Sequence, residues 1–421
     1  MMKHLFRPVD AAILIYFRFF AGLMLSIELL NSLHLGDLNE YLAPFHFSYL
    51  YFEWLKPWSL EPMVALYALT IISGFTLAVG FQQRLSAFML FLGYTLLFLM
   101  EKSEYNNHLY LYCLISFWMI WMPVTKNNRL SVPAWFYYLL LFHMSVVYFY
   151  AGIAKLDSEW LEGHTVREML NSRYEWFYIY GGLAFDLLIV PFLLWRKTRV
   201  LAFTCACVFH VLNVINFGLA TFPWFSIAMT ALYFGTKWPR RFSWFDDFFP
   251  HSGNKTELSP LKQNLLVAGL VTYCLLHLLI PFRHHLYSGK VSWTEDGHQF
   301  GWRMKLRNKT GDTYFYVQDP GRKNLRIVFP QQYLTKKQSR KLPGNPDFIL
   351  QFAHFLRDKN PGAKIFASAR ISLNGKPAVE MVNNRVDLAK EERKLGSYHW
   401  IYSEEALIKK ARISPGLQSS K

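Results

Sequence analysis

The sequence predicts a polytopic α-helical membrane protein of about nine spans that ends in an α+β or β-rich soluble domain on the exoplasmic side. Apolar types make up 52% of the 421 residues and charged types 18%, where an average soluble chain is about 25% charged. The apolar residues gather in long runs, which defines a helical region over 1–281. Residues 282–412 return to an ordinary charged composition, and 413–421 read as a frayed tail.

A membrane helix takes about 20 apolar residues. Runs over 11–31, 62–82, 86–100, 108–124, 134–154, 178–195, 200–219, 222–235 and 263–281 meet or approach that length, and the eighth is the shortest commitment of the nine. Assigning the loops alternately to two sides gathers Lys3, Arg7, Arg84, Lys126, Arg129, Arg196, Lys197, Arg199, Lys237, Arg240, Arg241, Lys255 and Lys262 on one of them. The positive-inside rule makes that side cytoplasmic. The opposite loops, 32–61, 101–107 and 155–177, carry Asp37, Glu40, Glu53, Glu101, Glu104, Asp157, Glu159 and Glu162 instead. With nine spans the chain after 281 is exoplasmic; without the eighth it would be inverted.

The first run starts at Ala11, contains Arg18 and Glu28 and has no small-residue cleavage site, so it reads as a retained span and not as a signal peptide. Cys113, Cys205, Cys207 and Cys274 all lie in apolar runs, where a thiol acts as a small buried hydrophobe. Neither a disulfide framework nor a metal site follows from them.

In the soluble part, 313–318, 325–329, 364–373 and 378–382 read as strands, with Asn374-Gly375 as a hairpin turn, and 346–358 and 404–412 as helices. After residue 281, 26 cations face 12 acids, so +14 of the net +16 resides there. No zinc, RNP or glycine-loop motif accompanies that charge, and a nucleic-acid partner is not predicted. Acidic peptides, lipid headgroups and plain solvation all remain open.

Ionisable groups inside membrane spans are costly and mark functional candidates, with helix-to-helix hydrogen bonding as the plain alternative. Arg18, Glu28 and Asp186 qualify. His210, Asn213 and Asn216 recur at i, i+3 and i+6, a polar stripe suited to lining a cavity or to joining helices. Lys155 closes the fifth span, where snorkelling to the interface is the ordinary reading, and His108 opens the fourth on the same side.

These residues lie in strings that resemble the vitamin K-dependent γ-carboxylase family and the bacterial relatives that share its HTTM transmembrane domain. The strings are Asn106-Asn107-His108-x-Tyr110-Leu111-Tyr112, Tyr148-Phe149-x-Ala151-Gly152-x-x-Lys155-Leu156-Asp157-x-x-Trp160, and Phe209-His210-x-x-Asn213. Trp238-Pro239-Arg240, Gly301-Trp302-x-Met304 and Arg385-Val386-Asp387 follow in order. The resemblance implies a membrane enzyme that couples oxygenation and epoxidation of reduced vitamin K, a phylloquinone- or menaquinone-type hydroquinone, to carboxylation of glutamate in a protein or peptide. O2 and CO2 are co-substrates and no metal is required. It implies that Lys155 is the base for the hydroquinone and that His108 serves the carboxylation step; His210 and Asn213, from the polar stripe, and Asn107, beside His108, are expected to line the substrate or quinone site. By the same resemblance, Trp302 and Arg385 fall near the glutamate substrate.

A lysine is a base only when unprotonated. Burial favours that form, whereas Asp157 and Glu159 oppose it unless they face water. Animal members of the family continue for several hundred residues more and tie their first exoplasmic loop to the soluble domain by a cysteine pair; residues 32–61 contain no cysteine. These departures favour a bacterial plasma membrane over the endoplasmic reticulum. They also leave open quinol epoxidation without protein carboxylation, and a non-catalytic module that binds lipid or quinone.

Overall fold

The computed structural model describes residues 2–123, 131–170, 174–242, 259–404 and 407. All nine apolar runs fold as helices: α1 (Ala12–His34), α2 (Leu60–Val79), α3 (Gln83–Met100), α4 (Asn107–Trp121), α5 (Trp135–Ala154), α6 (Gly182–Leu194, entered through a wide turn over Phe177–Gly181), α7 (Arg199–Phe217), α8 (Phe222–Thr230) and α9 (Pro260–Leu279). Seven of these stretches are long and apolar enough to cross a membrane. The exceptions are α4, with 15 residues, and α8, with nine residues followed by a four-residue 3₁₀ turn.

Small residues set how closely the first helices cross. A Cβ on Gly22 would lie 2.5 Å from the Gly74 carbonyl oxygen, and one on Gly74 would meet the Ser26 hydroxyl. The glycines therefore let α1 and α2 touch backbone to backbone, and Ser26 Oγ donates to the Ile71 carbonyl at 2.9 Å. Arg18 is buried there and donates to Gln83 Oε1 at 3.2 Å, joining helices. A two-stranded ribbon, β1 (Pro8–Asp10) with β2 (Ser131–Pro133), closes the opposite end of the bundle, where Asp10 is paired with Arg240 at 2.6 Å.

The C-terminal part is an antiparallel sheet in the order β4-β3-β5-β6, formed by β3 (Lys309–Gln318), β4 (Arg326–Val328), β5 (Lys364–Leu373) and β6 (Val379–Glu380). Asn374 and Gly375, both at positive φ (52° and 73°), turn β5 into β6. Alternate residues of β3 and β5 (Phe315, Val317, Ile365, Ala367, Ala369) are buried with Phe348, Ile349, Phe352 and Leu356 of helix α11 (Pro346–Lys359), which follows α10 (Lys336–Lys341). A sheet with helices makes this unit α+β. The predicted helix over 404–412 lies almost wholly outside the described residues, as do Lys126, Arg129 and Lys255.

This domain sits on the loops that carry the acids. Asp37 and Glu104 pair with Lys337 at 2.8 and 2.5 Å, Glu53 with Arg393 at 2.7 Å, and Asp157 with Arg303 at 3.1 Å. Glu40 accepts from Thr335, Glu159 pairs with Lys376, and Glu101 accepts from Gln338 at 3.2 Å. Phe47 of the first loop stacks on Phe348 with ring centres 4.1 Å apart and belongs to the core of the sheet domain. Arg303, Lys337, Lys376 and Arg393 of the basic C-terminal part thus meet acids of the bundle's loops. All four cysteines are free, and the buried-filler expectation holds for Cys113 alone: Cys205 is exposed and Cys207 and Cys274 are half-buried, because α7 and α9 lie on the rim of the bundle.

Candidate functional site

Gly152 decides the geometry at the end of α5. A Cβ there would fall 2.6 Å from the Leu187 side chain, so glycine one turn before Lys155 lets α6 approach and brings Asp186 alongside. Lys155, 8% exposed, forms a direct ion pair with Asp186, 4% exposed. The ammonium nitrogen also lies 5.1 Å from the centre of the Trp160 ring. The acids flagged by sequence proximity do not face it, since Asp157 is held by Arg303 and Glu159 by Lys376.

A second pair stands across the same space. His108, in the first turn of α4, places Nε2 3.2 Å from Glu28 Oε1 of α1 and stacks on Phe222. His210 of α7 shares a hydrogen bond of 2.8 Å with the Tyr148 hydroxyl, which is 3.0 Å from Thr230 Oγ1. Of the intramembrane acids, Glu28 and Asp186 therefore each hold one of the two residues proposed for chemistry. The pairings could not be read from the sequence because each joins two different helices, α5 with α6 and α1 with α4, whose facing sides are set by packing.

A cavity of about 890 Å³ connects these groups. Lys155, Asp186, His108, Asn107, His210 and Asn213 all line it. Asn216 does not: its amide donates to the Tyr178 hydroxyl at 3.2 Å, so the stripe on α7 contributes two members of three. Asn107 donates to the Arg303 carbonyl at 3.2 Å and accepts from the Tyr105 hydroxyl at 2.9 Å, tying the mouth of α4 to the C-terminal domain.

Toward that domain the cavity wall turns cationic, with Arg283, Arg303, Lys305, Arg307 and Lys309 and the acid Glu295. Glu295 is bracketed by Arg307 at 2.5 Å and Lys309 at 2.6 Å. Burial alone would raise its carboxyl, but these two cations hold it well below the ordinary range. Burial lowers Lys309 to about 8 despite Glu295, and burial with Arg307 nearby keeps His298 neutral. Among the described residues, no group of three or more His, Cys, Asp or Glu is placed to hold a metal.

The HTTM domain model matches residues 6–238, and the lumenal-domain model of vitamin K-dependent γ-carboxylase matches 262–406. The chain belongs to the γ-carboxylase family. No solved structure matches it. The two matches account for the bundle and for the sheet domain in turn, and they make the protein an enzyme of the carboxylase kind.

Two residues that the family resemblance brought forward lie outside the cavity. Trp302 is 1% exposed and packs on Tyr110 and His277, with ring centres 5.2 and 5.8 Å away. Its φ of 56° is uncommon for a bulky side chain, and Glu295, Phe300 and Lys305 share the left-handed region. Trp302 therefore anchors a strained segment whose other members, Glu295, His298, Arg303 and Lys305, do reach the cavity. Arg385 is exposed, and its backbone N–H donates to Asn383 Oδ1 at 3.2 Å. The sequence does not reveal the cationic wall, because a basic domain gives no sign of which cations turn inward.

Proposed function

We propose that this γ-carboxylase family member couples oxygenation of a vitamin K-type quinol to carboxylation of glutamate side chains at the exoplasmic face of a bacterial plasma membrane. The observation that carries this reading is one cavity holding Lys155, His108, His210, Asn107 and Asn213 at its apolar end and Arg283, Arg303 and Arg307 at the other. The quinol is consumed in each turnover and is a substrate; when it reacts with O2 it supplies a base stronger than any side chain. Lys155 removes the quinol proton. His108, oriented by Glu28, serves the carboxylation step. The cationic wall attracts and orients a carboxylate. Phe177, Phe185, Phe209 and Phe217 line the cavity and provide an apolar wall for a ring and its isoprenoid tail.

The exoplasmic placement takes nine crossings, a count that the contacts of the C-terminal domain support. The C-terminal domain bonds to Asp157 and Glu159, so an even number of crossings separates residue 159 from residue 290, and α6 to α9 supply four. The test gives purified protein reduced vitamin K, labelled bicarbonate and a glutamate peptide, with epoxide and fixed label assayed separately. Both products are expected. Epoxide without label would limit the enzyme to quinol epoxidation, and neither product would leave a lipid-binding module.

A further inference from the structure

A lysine in direct contact with a carboxylate is an ammonium partner, which conflicts with its acting as a free amine. The contact is built into the fold, since Gly152 admits Leu187 and with it Asp186. Both side chains line the cavity. Among the described residues the other acids near Lys155 are engaged elsewhere: Asp157 by Arg303, Glu159 by Lys376, and Glu28 by His108. Among the described residues, the other titratable groups of the cavity near this end are Tyr148 and His210, bonded to each other, Tyr178, bonded to Asn216, and Cys205, with the Trp160 ring beside Lys155; Lys305 of the outer wall sits with its nitrogen 5.5 Å from the centre of the Phe217 ring.

We propose that the proton acceptor is the Lys155–Asp186 pair acting as a unit, with Asp186 as the group that ends with the additional proton. This inference rests on the quinol reading above. The quinol O–H bond breaks and its proton passes to Lys155 Nζ, while a proton already on Nζ passes to Asp186 Oδ2 and makes it a carboxylic acid. The quinol oxygen keeps the bonding pair, no electron moves to or from the protein, and the ammonium remains beside the quinolate. The pair goes from neutral to +1 as the substrate goes to −1, so no net charge is created in an apolar chamber. The acid is reset when it releases its proton to water at the outer end of the cavity.

The two candidate bases respond to Asp186→Asn in opposite ways. If the free amine is the base, the carboxylate hinders it by favouring the ammonium, and removing the carboxylate lets the enzyme work at lower pH. If the pair is the base, the variant has only the amine, which is lost to protonation at a pH where a carboxylate would still accept. The acid limb of the epoxidation profile then moves to higher pH, with activity at the acid end at least about tenfold below wild type and converging at the alkaline end.

The experiment measures epoxide formation against pH with reduced phylloquinone for full-length wild type, Asp186→Asn and Asp186→Glu, with binding of oxidised phylloquinone followed by tryptophan fluorescence. Retained binding with an upward limb supports the pair, and a downward or unmoved limb overturns it. Infrared difference spectra of the wild type, taken on adding reduced phylloquinone, give a readout that depends neither on turnover nor on a variant folding. A protonated-carboxyl band is expected, shifted in Asp186→Glu; its absence overturns the proposal. A band without epoxide would sink the quinol-oxygenase reading and leave the pair standing, and epoxide without a band would do the reverse.

Discussion

At the bundle end of the cavity Lys155 and His108 each meet an acid from another helix, Lys155 with Asp186 and His108 with Glu28. At the outer end Glu295 is shared by Arg307 and Lys309, and Arg283, Arg303 and Lys305 add further cations to the wall. One-to-one pairs in apolar surroundings can pass a proton without exposing net charge. A wall with more cations than acids does something different, keeping a positive potential that draws anions in and orients them. On the proposed function the two ends suit two substrates, an apolar quinol and an anionic side chain, and one cavity would let them react in one place.

Changes at the bundle end should remove chemistry. Lys155→Ala is expected to lower epoxidation by about 10²–10⁴-fold, the range for loss of a positioned base, with the folded protein still binding quinone. A small exogenous amine should restore part of that loss. His108→Ala should depress carboxylation more than epoxidation. Wild-type-like epoxidation by Lys155→Ala would leave the lysine a snorkelling residue and remove the distinction between the two ends.

Changes at the outer end should act on the anionic substrate. Arg303→Gln should raise KM for a glutamate peptide about 10-fold or more, since hydrogen bonds to charged groups contribute about 1.5–3 kcal/mol, and leave quinol binding as it was. Part of that effect comes through Asp157, which loses its partner, so Asp157→Asn is the control. A fall in quinol affinity with an unchanged KM for peptide would place the quinol at this end instead.

The seam between bundle and domain gives a smaller, pH-dependent effect. Burial, with the nearby Glu104 acting in the same direction, pushes Glu101 up to about 8 against its bonds from Ser103 and the Phe47 N–H. The folded state then binds the extra proton between the ordinary value of 4.5 and about 8. Stability is therefore complete below about pH 4.5 and declines as pH rises to about 8, by at most about 1.4 kcal/mol per pH unit. Glu101→Gln should flatten thermal stability across that range, and an unchanged slope would show that the carboxyl is already ionised in the seam.

Helices and most strands were legible because apolar runs and period-two alternation are local signals. The hairpin at Asn374-Gly375 was legible because both residues need positive φ. The site was legible in part. Lys155, His108, His210 and Asn213 stood out as polar groups in apolar context, as did Glu28 and Asp186, but which acid meets which base did not, since Asp186 and Glu28 reach their partners only through packing that Gly152 and the helix crossings decide. Sequence proximity named Asp157 and Glu159 as the acids near Lys155, and both turn to cations of the domain. Trp302 lay in a string that resembled the family, and only its backbone geometry distinguishes anchoring a strained segment from lining the cavity.

Arg385 gives the finest division between the two ends and everything else. It matches the family string as closely as Trp302 does, yet its side chain is exposed and lines no part of the cavity. The neighbouring Asp387 is the structural member of the string, since its Oδ1 accepts from the N–H groups of Ile365 and Ala389 at 3.0 and 3.2 Å. An exposed side chain without such bonds changes stability by about 0.5 kcal/mol or less when truncated. Arg385→Ala is therefore expected to leave epoxidation, KM for a short glutamate peptide and thermal stability near wild type, whereas Asp387→Ala should destabilise the domain by about 1–3 kcal/mol through two unsatisfied amides. Short peptides and whole protein substrates should be compared. A KM raised only for the protein substrate would extend the anionic end beyond the cavity onto the outer surface of the domain; a KM raised for the short peptide as well would mean that the glutamate site itself reaches Arg385.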